Sequence, residues 1–177
     1  MTKEHTVLYS AEEIHAEVER LAVRIDSNNV GSYVVVTVLK GAAIFSSDLV
    51  RAMRTETELV YITASSYLKD FTPSESLTVN NDVELGLTDR HVLIVEDIID
   101  TGRTLQEIAA TVVKEDPKSV STVALVNKTN RRTTSFEATY TGIDITDELI
   151  YGYGLDWNQR FRDLPYLAIA NPEGVHT

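Results

Sequence analysis

Cysteine is absent from the 177 residues, so disulfides, thiolate metal centres and a thiol nucleophile are all excluded. Proline and glycine are scarce, at 4 and 8, which excludes collagen-like and low-complexity chains. Long apolar runs are missing too: stretches such as Val34–Val38 fall far short of the roughly 20 residues that cross a bilayer. Met1–Ser10 mixes charged with apolar residues and has no signal-peptide core, so a cytoplasmic location away from any membrane is expected. Positive charge is the last deficit. Lys and Arg number 16 against 27 Asp and Glu, leaving a net charge of -11 and a pI near 4.7, a balance that offers no basic surface to nucleic acid. A small anionic ligand remains compatible with it where a few cations or Mg2+ reverse the field locally.

What is present is 43% hydrophobic residues in a length that suits one domain. Ser10 followed by Glu13 is a capping-box pattern, and Ile14, Val18, Leu21, Ala22 and Ile25 recur at helical spacing, so a helix is expected over 11–26. The β-branched run Tyr33–Val38 reads as a strand buried on both faces, 42–54 as a helix, and Glu58–Ala64 as a second strand. Ser65–Asn81 is polar and carries Pro73, which marks a long loop. The clearest strand, His91–Val95, runs through Gly102 into a helical pattern over Leu105–Lys114, and Val120–Val126 is a further strand. Strand, helix, strand at these lengths predicts βαβ units and a twisted, mostly parallel sheet flanked by helices. From Ala138 onward the pattern is shorter-paced, ending in an apolar run at Tyr166–Ala170.

The chemistry concentrates in Val95-Glu96-Asp97-Ile98-Ile99-Asp100-Thr101-Gly102-Arg103-Thr104, which leaves a buried strand at its carboxyl end, the edge where open α/β sheets bind ligands. Glu96, Asp97 and Asp100 are costly to bring together unless they face cations, hydroxyl donors or protons. Thr101, Gly102 and Thr104 supply hydroxyl donors, close backbone approach and free N–H groups at a helix N-terminus, which is what a phosphate needs. A ligand matching both halves carries diol hydroxyls or Mg2+ at one end and a phosphate at the other, as a ribose 5-phosphate does. Simple helix capping by the acids is the bland alternative. Asp100-Thr101-Gly102 is also an aspartic-protease tripeptide, but it occurs once and between a strand and a helix. Neither the dinucleotide-binding nor the P-loop glycine pattern is present.

Val95–Thr104 resembles the phosphoribosyl pyrophosphate motif of type I phosphoribosyltransferases. With Leu39-Lys40-Gly41, Ser66-Tyr67, Lys128-Thr129, Gly152-Tyr153-Gly154-Leu155-Asp156 and Phe161-Arg162-Asp163-Leu164-Pro165 in the same order, the chain is similar to the bacterial hypoxanthine-guanine branch over about residues 8–170. The resemblance implies an α/β domain spanning 1–177, a small hood built from about 1–12 and 140–177, and a flexible lid over about 66–81 that includes Ser66 and Tyr67. It implies a Mg2+-dependent transfer of 5-phosphoribose from phosphoribosyl pyrophosphate to hypoxanthine or guanine, giving IMP or GMP and pyrophosphate in purine salvage. A homodimer or homotetramer is implied as well.

Carried onto this chain, Glu96 and Asp97 hold the ribose hydroxyls directly or through the metal, Asp100 to Thr104 with Arg103 cradle the 5′-phosphate, and Asp100 is the general base at purine N7. Lys40 and Gly41, across a non-proline cis peptide at Leu39–Lys40, and Arg162 bind pyrophosphate. Asp156 holds a second Mg2+ near the base, and Lys128 donates to the purine O6, favouring 6-oxopurines over adenine. Leu149 departs from the pattern, standing where relatives carry an aromatic that stacks on the purine; Ile150 follows it, and Tyr151 or Trp157 is near enough in sequence to compensate. Xanthine or a pyrimidine as the accepted base, and an RNA-binding regulator that kept the fold, are the competing readings; Lys128 and the net charge of -11 respectively argue against the last two.

Overall fold

The Ser10 hydroxyl accepts the Glu13 amide at 3.2 Å while the Glu13 carboxylate accepts the Ser10 amide at 2.8 Å, a reciprocal cap worth about 1 kcal/mol. It starts α1 (Ala11–Asp26), whose buried stripe is Ile14, Val18, Leu21, Ala22 and Ile25. The computed structural model describes residues 6–28, 30–65, 78–80 and 85–170. Before α1 lies β1 (Thr6–Tyr9), and after it come β2 (Ser32–Leu39), α2 (Ala43–Ala52), β3 (Glu56–Ser65), β4 (Thr78–Asn80) and β5 (His91–Ile99). The chain continues through α3 (Arg103–Val113), β6 (Ser119–Lys128), a 3-10 turn at Thr129–Arg131, β7 (Tyr140–Ile145), β8 (Ile150–Tyr151) and β9 (Leu167–Ile169).

Six strands form one sheet in the order β4-β3-β2-β5-β6-β7; all neighbours are parallel except the edge pair β3–β4. Side chains alternate across the pleat, so β2 sends Tyr33 and Val35 to the face covered by α1 and α2, and Val34, Val36 and Val38 to the face covered by α3. Each face thereby gains its own buried cluster, which is why β2 reads as continuously apolar.

The connections explain where a ligand can sit. From β2 the chain winds outward through α2 to β3, whereas from β5 it winds the opposite way through α3 to β6. The two halves therefore part between β2 and β5, opening a crevice at their carboxyl ends. A separate three-stranded sheet, β1-β9-β8, joins the N-terminal segment to the C-terminal part. Beside it Trp157, Phe161, Leu164 and Tyr166 pack on Tyr151, Ala168 and Ala170.

Three features differ from the sequence expectations. First, β5 extends four residues past Val95, because its ladder with β6 continues through Glu96↔Ala124, Ile98↔Val126 and Ile99↔Asn127. Second, Tyr140–Ile145, at the start of the stretch assigned to the hood, pairs with β6 in the large sheet. Its Gly142 and Asp144 dilute the apolar pattern, yet a Cβ at Gly142 would stand 2.5 Å from the Leu125 carbonyl oxygen, so only glycine lets the two strands close. Third, within the loop expected over 65–81, Thr78–Asn80 pairs antiparallel with β3. The rest of the lid segment, with Ser66 and Tyr67, lies outside the described residues.

Candidate active site

Because β5 runs on to Ile99, Glu96 and Asp97 project from a paired strand rather than from a loop. Glu96 is buried: Oε1 accepts the Asp97 amide at 3.3 Å, while Oε2 is sealed from solvent without a hydrogen-bond partner. Burial, followed by the adjacent Asp97 charge, pushes the Glu96 carboxyl well above the usual carboxylate range. Asp97 receives the Ile98 amide at 2.9 Å and fills the space beside Gly41, where a Cβ would stand 1.7 Å from Asp97 Oδ2.

Gly41 belongs to the turn that follows β2 through the cis Leu39–Lys40 peptide, with the Lys40 side chain exposed. On its other side the Gly41 carbonyl oxygen lies against Gly154, where a Cβ would be 2.1 Å away, and Gly154 has φ +101°. Gly154→Ala is therefore expected to lose about 2 kcal/mol through backbone strain and collision with a carbonyl that has no room to yield. Urea titration is the check, and a wild-type midpoint would refute the contact. Arg162 braces the same turn, donating to the Gly154 carbonyl and to Asp156 Oδ1, both at 2.6 Å. Asp156 Oδ2 accepts the Gln159 amide at 2.8 Å. Both carboxylate oxygens of Asp156 are thus engaged. The Tyr153 hydroxyl donates to Asp48 of α2 at 2.7 Å, and burial raises its pKa far beyond the usual phenol range.

On the other flank, Gly102 precedes α3 with φ +86°, a left-handed turn that frees the amides at the helix start. Thr101 and Thr104 are half-buried there and Arg103 is exposed. Asp100 does not join the Glu96–Asp97 pair. Its Oδ1 is 3.0 Å from Arg131 Nε, close enough for an ion pair but off the line of a hydrogen bond, and Arg131 also donates to Asp147 at 3.1 Å. At the end of β6, Lys128 is buried at 5% exposure, and no described residue bonds its ammonium. Ile150 is buried, whereas Leu149 is 46% exposed at the start of the C-terminal part.

Of the residues named from the sequence, Gly41, Asp97, Asp156 and Arg162 meet around Gly154, whereas Asp100 faces Arg131 and Lys128 stands at the end of β6. The sequence reading missed Arg131, Arg132, Asp48 and Asp144, whose partners lie across strands or helices. Two consecutive arginines soon after Lys128 were the one available signal. Among the described residues no three His, Asp or Glu side chains gather into a metal cluster. The Glu96–Asp97 pair is suited to Mg2+ only when substrate oxygens complete the shell.

Comparison with known proteins follows the same outline. The family model described as the phosphoribosyl transferase domain matches residues 7–158. The hypoxanthine phosphoribosyltransferase of Haemophilus influenzae is 34% identical over 173 residues, covering 95% of this chain and 97% of that one. The hypoxanthine-guanine phosphoribosyltransferase of Mycobacterium bovis is 33% identical over 94% of this chain and 86% of its own length. Among solved structures, a hypoxanthine phosphoribosyltransferase from Staphylococcus aureus superimposes with a TM-score of 0.90 at 34% identity, covering 99% of this chain and 95% of that one. No helix among the described residues is long and apolar enough to cross a membrane.

Proposed function

Since the chain belongs to the phosphoribosyltransferase family, we propose that it transfers 5-phosphoribose from phosphoribosyl pyrophosphate to hypoxanthine or guanine, releasing pyrophosphate in purine salvage. The observation that carries this reading is one juxtaposition: an acidic pair, buried Glu96 and half-buried Asp97, ahead of the freed amides of the Gly102 turn on the same segment. The first suits ribose hydroxyls and the second a phosphate. The names of the relatives, both hypoxanthine or hypoxanthine-guanine enzymes, support the choice of base.

In this reading the ribose 5-phosphate lies along Asp100–Thr104, with its hydroxyls toward Glu96 and Asp97. The pyrophosphate lies toward Lys40, Gly41 and Arg162, and Leu149, Ile150 and Asp156 border the base. The purine N9 forms the bond to C1′ as the bond from C1′ to the pyrophosphate oxygen breaks. Asp100 takes the proton from N7, and its charge also steadies the cationic sugar carbon. Glu96 and Asp97 fit Mg2+, since the unpartnered Glu96 Oε2 and the mutual repulsion of the two carboxylates call for a cation. Mg2+ there supplies positive charge against the leaving pyrophosphate. Asp156, engaged by Arg162 and Gln159, would hold a second ion only after exchanging a partner. A cytoplasmic homodimer or homotetramer belongs to the same reading.

Lys128 sets the preferred base. The ammonium of this buried residue meets the acceptor O6 of hypoxanthine and guanine but would face the amino group of adenine. Offered phosphoribosyl pyrophosphate and Mg2+ with hypoxanthine, guanine, xanthine, adenine, uracil or orotate in turn, the protein is expected to use the first two and to ignore adenine. Lys128→Met should lower kcat/KM for hypoxanthine about 10- to 100-fold. Turnover with none of the bases would defeat the functional reading, and an unchanged Lys128→Met profile would defeat the assignment of that residue.

A further inference from the structure

Behind the phosphate turn lies a polar chain, buried at Asn127, largely buried at Arg132 and open to solvent at Asp144, that the mechanism has not used. Asp144 of β7 and Asn127 of β6 are register partners, and Asn127 Nδ2 donates to Asp144 Oδ1 at 2.8 Å. The Asn127 oxygen in turn accepts from Arg132 Nη2. Arg132, whose side chain is only 10% exposed, donates through Nη1 to the Asp100 carbonyl at 3.1 Å. The next carbonyl is held from the same segment: Thr101 O accepts the Thr133 amide at 3.1 Å and the Thr134 hydroxyl at 3.4 Å. The turn rests directly on these side chains, because a Cβ at Gly102 would stand 2.5 Å from Thr134 Oγ1 and 3.0 Å from Arg132 Cδ.

The C=O and N–H of a trans peptide point in opposite directions. Pulling the carbonyls of Asp100 and Thr101 back onto residues 132–134 therefore turns the amides of Thr101 and Gly102 outward. Among the described residues neither amide has a hydrogen-bond acceptor. We propose that Arg132, seated by Asn127 and Asp144, is a positioning residue that with Thr133 and Thr134 aims these two amides at the phosphate of the phosphoribosyl ligand. The inference rests on the functional reading above and adds to it a support that touches no substrate. Arginine suits the post because its planar fork reaches a backbone carbonyl and a side-chain amide at once, whereas the single ammonium of a lysine presents no such fixed pair.

The test is steady-state kinetics on Arg132→Met, Arg132→Lys, Asn127→Leu and the milder Thr134→Val, each checked for thermal unfolding. KM for phosphoribosyl pyrophosphate should rise about 10- to 100-fold in Arg132→Met and Asn127→Leu, with KM for hypoxanthine unchanged. Arg132→Lys should recover part of the loss. Thr134→Val, which keeps the side-chain shape and removes one donor, should raise the same KM several-fold with an unchanged unfolding midpoint. A merely structural role would lower stability without separating the two KM values. Wild-type kinetics in Thr134→Val together with a purine KM that moves in step with the other in Arg132→Met would overturn the proposal alone. A wild-type protein that turns over no purine would overturn the functional reading and this inference with it.

Discussion

Asp100→Asn is expected to lower kcat by about 10²- to 10⁴-fold, the usual contribution of a positioned general base, while phosphoribosyl pyrophosphate still binds. The substitution is nearly isosteric and removes the capacity to accept the N7 proton together with the charge that steadies the sugar carbon. Folding should be indifferent to it, because the ion pair it weakens joins a half-exposed Arg131 to a partly exposed Asp100 and is worth under about 1 kcal/mol. Arg131 also keeps its second carboxylate, Asp147. Isothermal titration with phosphoribosyl pyrophosphate and a pre-steady-state measurement of IMP formation separate binding from chemistry. A variant that makes IMP at the wild-type rate would remove Asp100 from its role as base.

Glu96→Gln should raise stability, which Asp100→Asn leaves unchanged, and like that variant lower activity. Folding raises the affinity of the Glu96 carboxyl for its proton, through burial and the neighbouring Asp97 charge. The folded state consequently binds that proton more tightly than the unfolded state, and stability falls as pH climbs from the ordinary carboxylate range through the raised pKa. Glutamine has no proton to lose and can donate toward Asp97. The variant should unfold at a higher temperature above neutral pH, by about 2–4 °C for each kcal/mol recovered in a chain of this length, with a flatter dependence on pH. It should also lose about 10²-fold or more in kcat/KM and most of the stabilisation that Mg2+ with phosphoribosyl pyrophosphate gives the wild type. Equal melting curves at alkaline pH, or an undiminished response to Mg2+, would argue that Glu96 is already satisfied.

Both predictions concern residues visible in the sequence, and the reason is physical. The acidic shelf and the phosphate turn are contiguous, so their chemistry is written in residues 95–104 without knowledge of the fold. The helix over 11–26 was equally plain, since its cap and its buried stripe obey local rules. Other features depend on distant partners. β7 was hidden because Gly142 answers to the Leu125 carbonyl and Asp144 to Asn127, neither of which leaves a trace in local periodicity. Without β7 there is no register to place Asp144 beside Asn127, so the support beneath Arg132 was illegible as well. The run of β5 beyond Val95 was missed for the converse reason: two carboxylates end an apolar pattern, although the backbone ladder with β6 continues beneath them.

The stacking of Gly154 on Gly41, and of Gly41 on Asp97, also orders events in time. Gly41 and Gly154 are separated by more than half of the chain, and ribosomes deliver them in that sequence. A nascent chain that has emerged as far as β6 carries four of the five parallel strands and the entire acidic motif, yet the turn after β2 then rests on Asp97 on one side and lacks Gly154 on the other until residues 150–170 arrive. The crevice is therefore completed after the sheet that carries it.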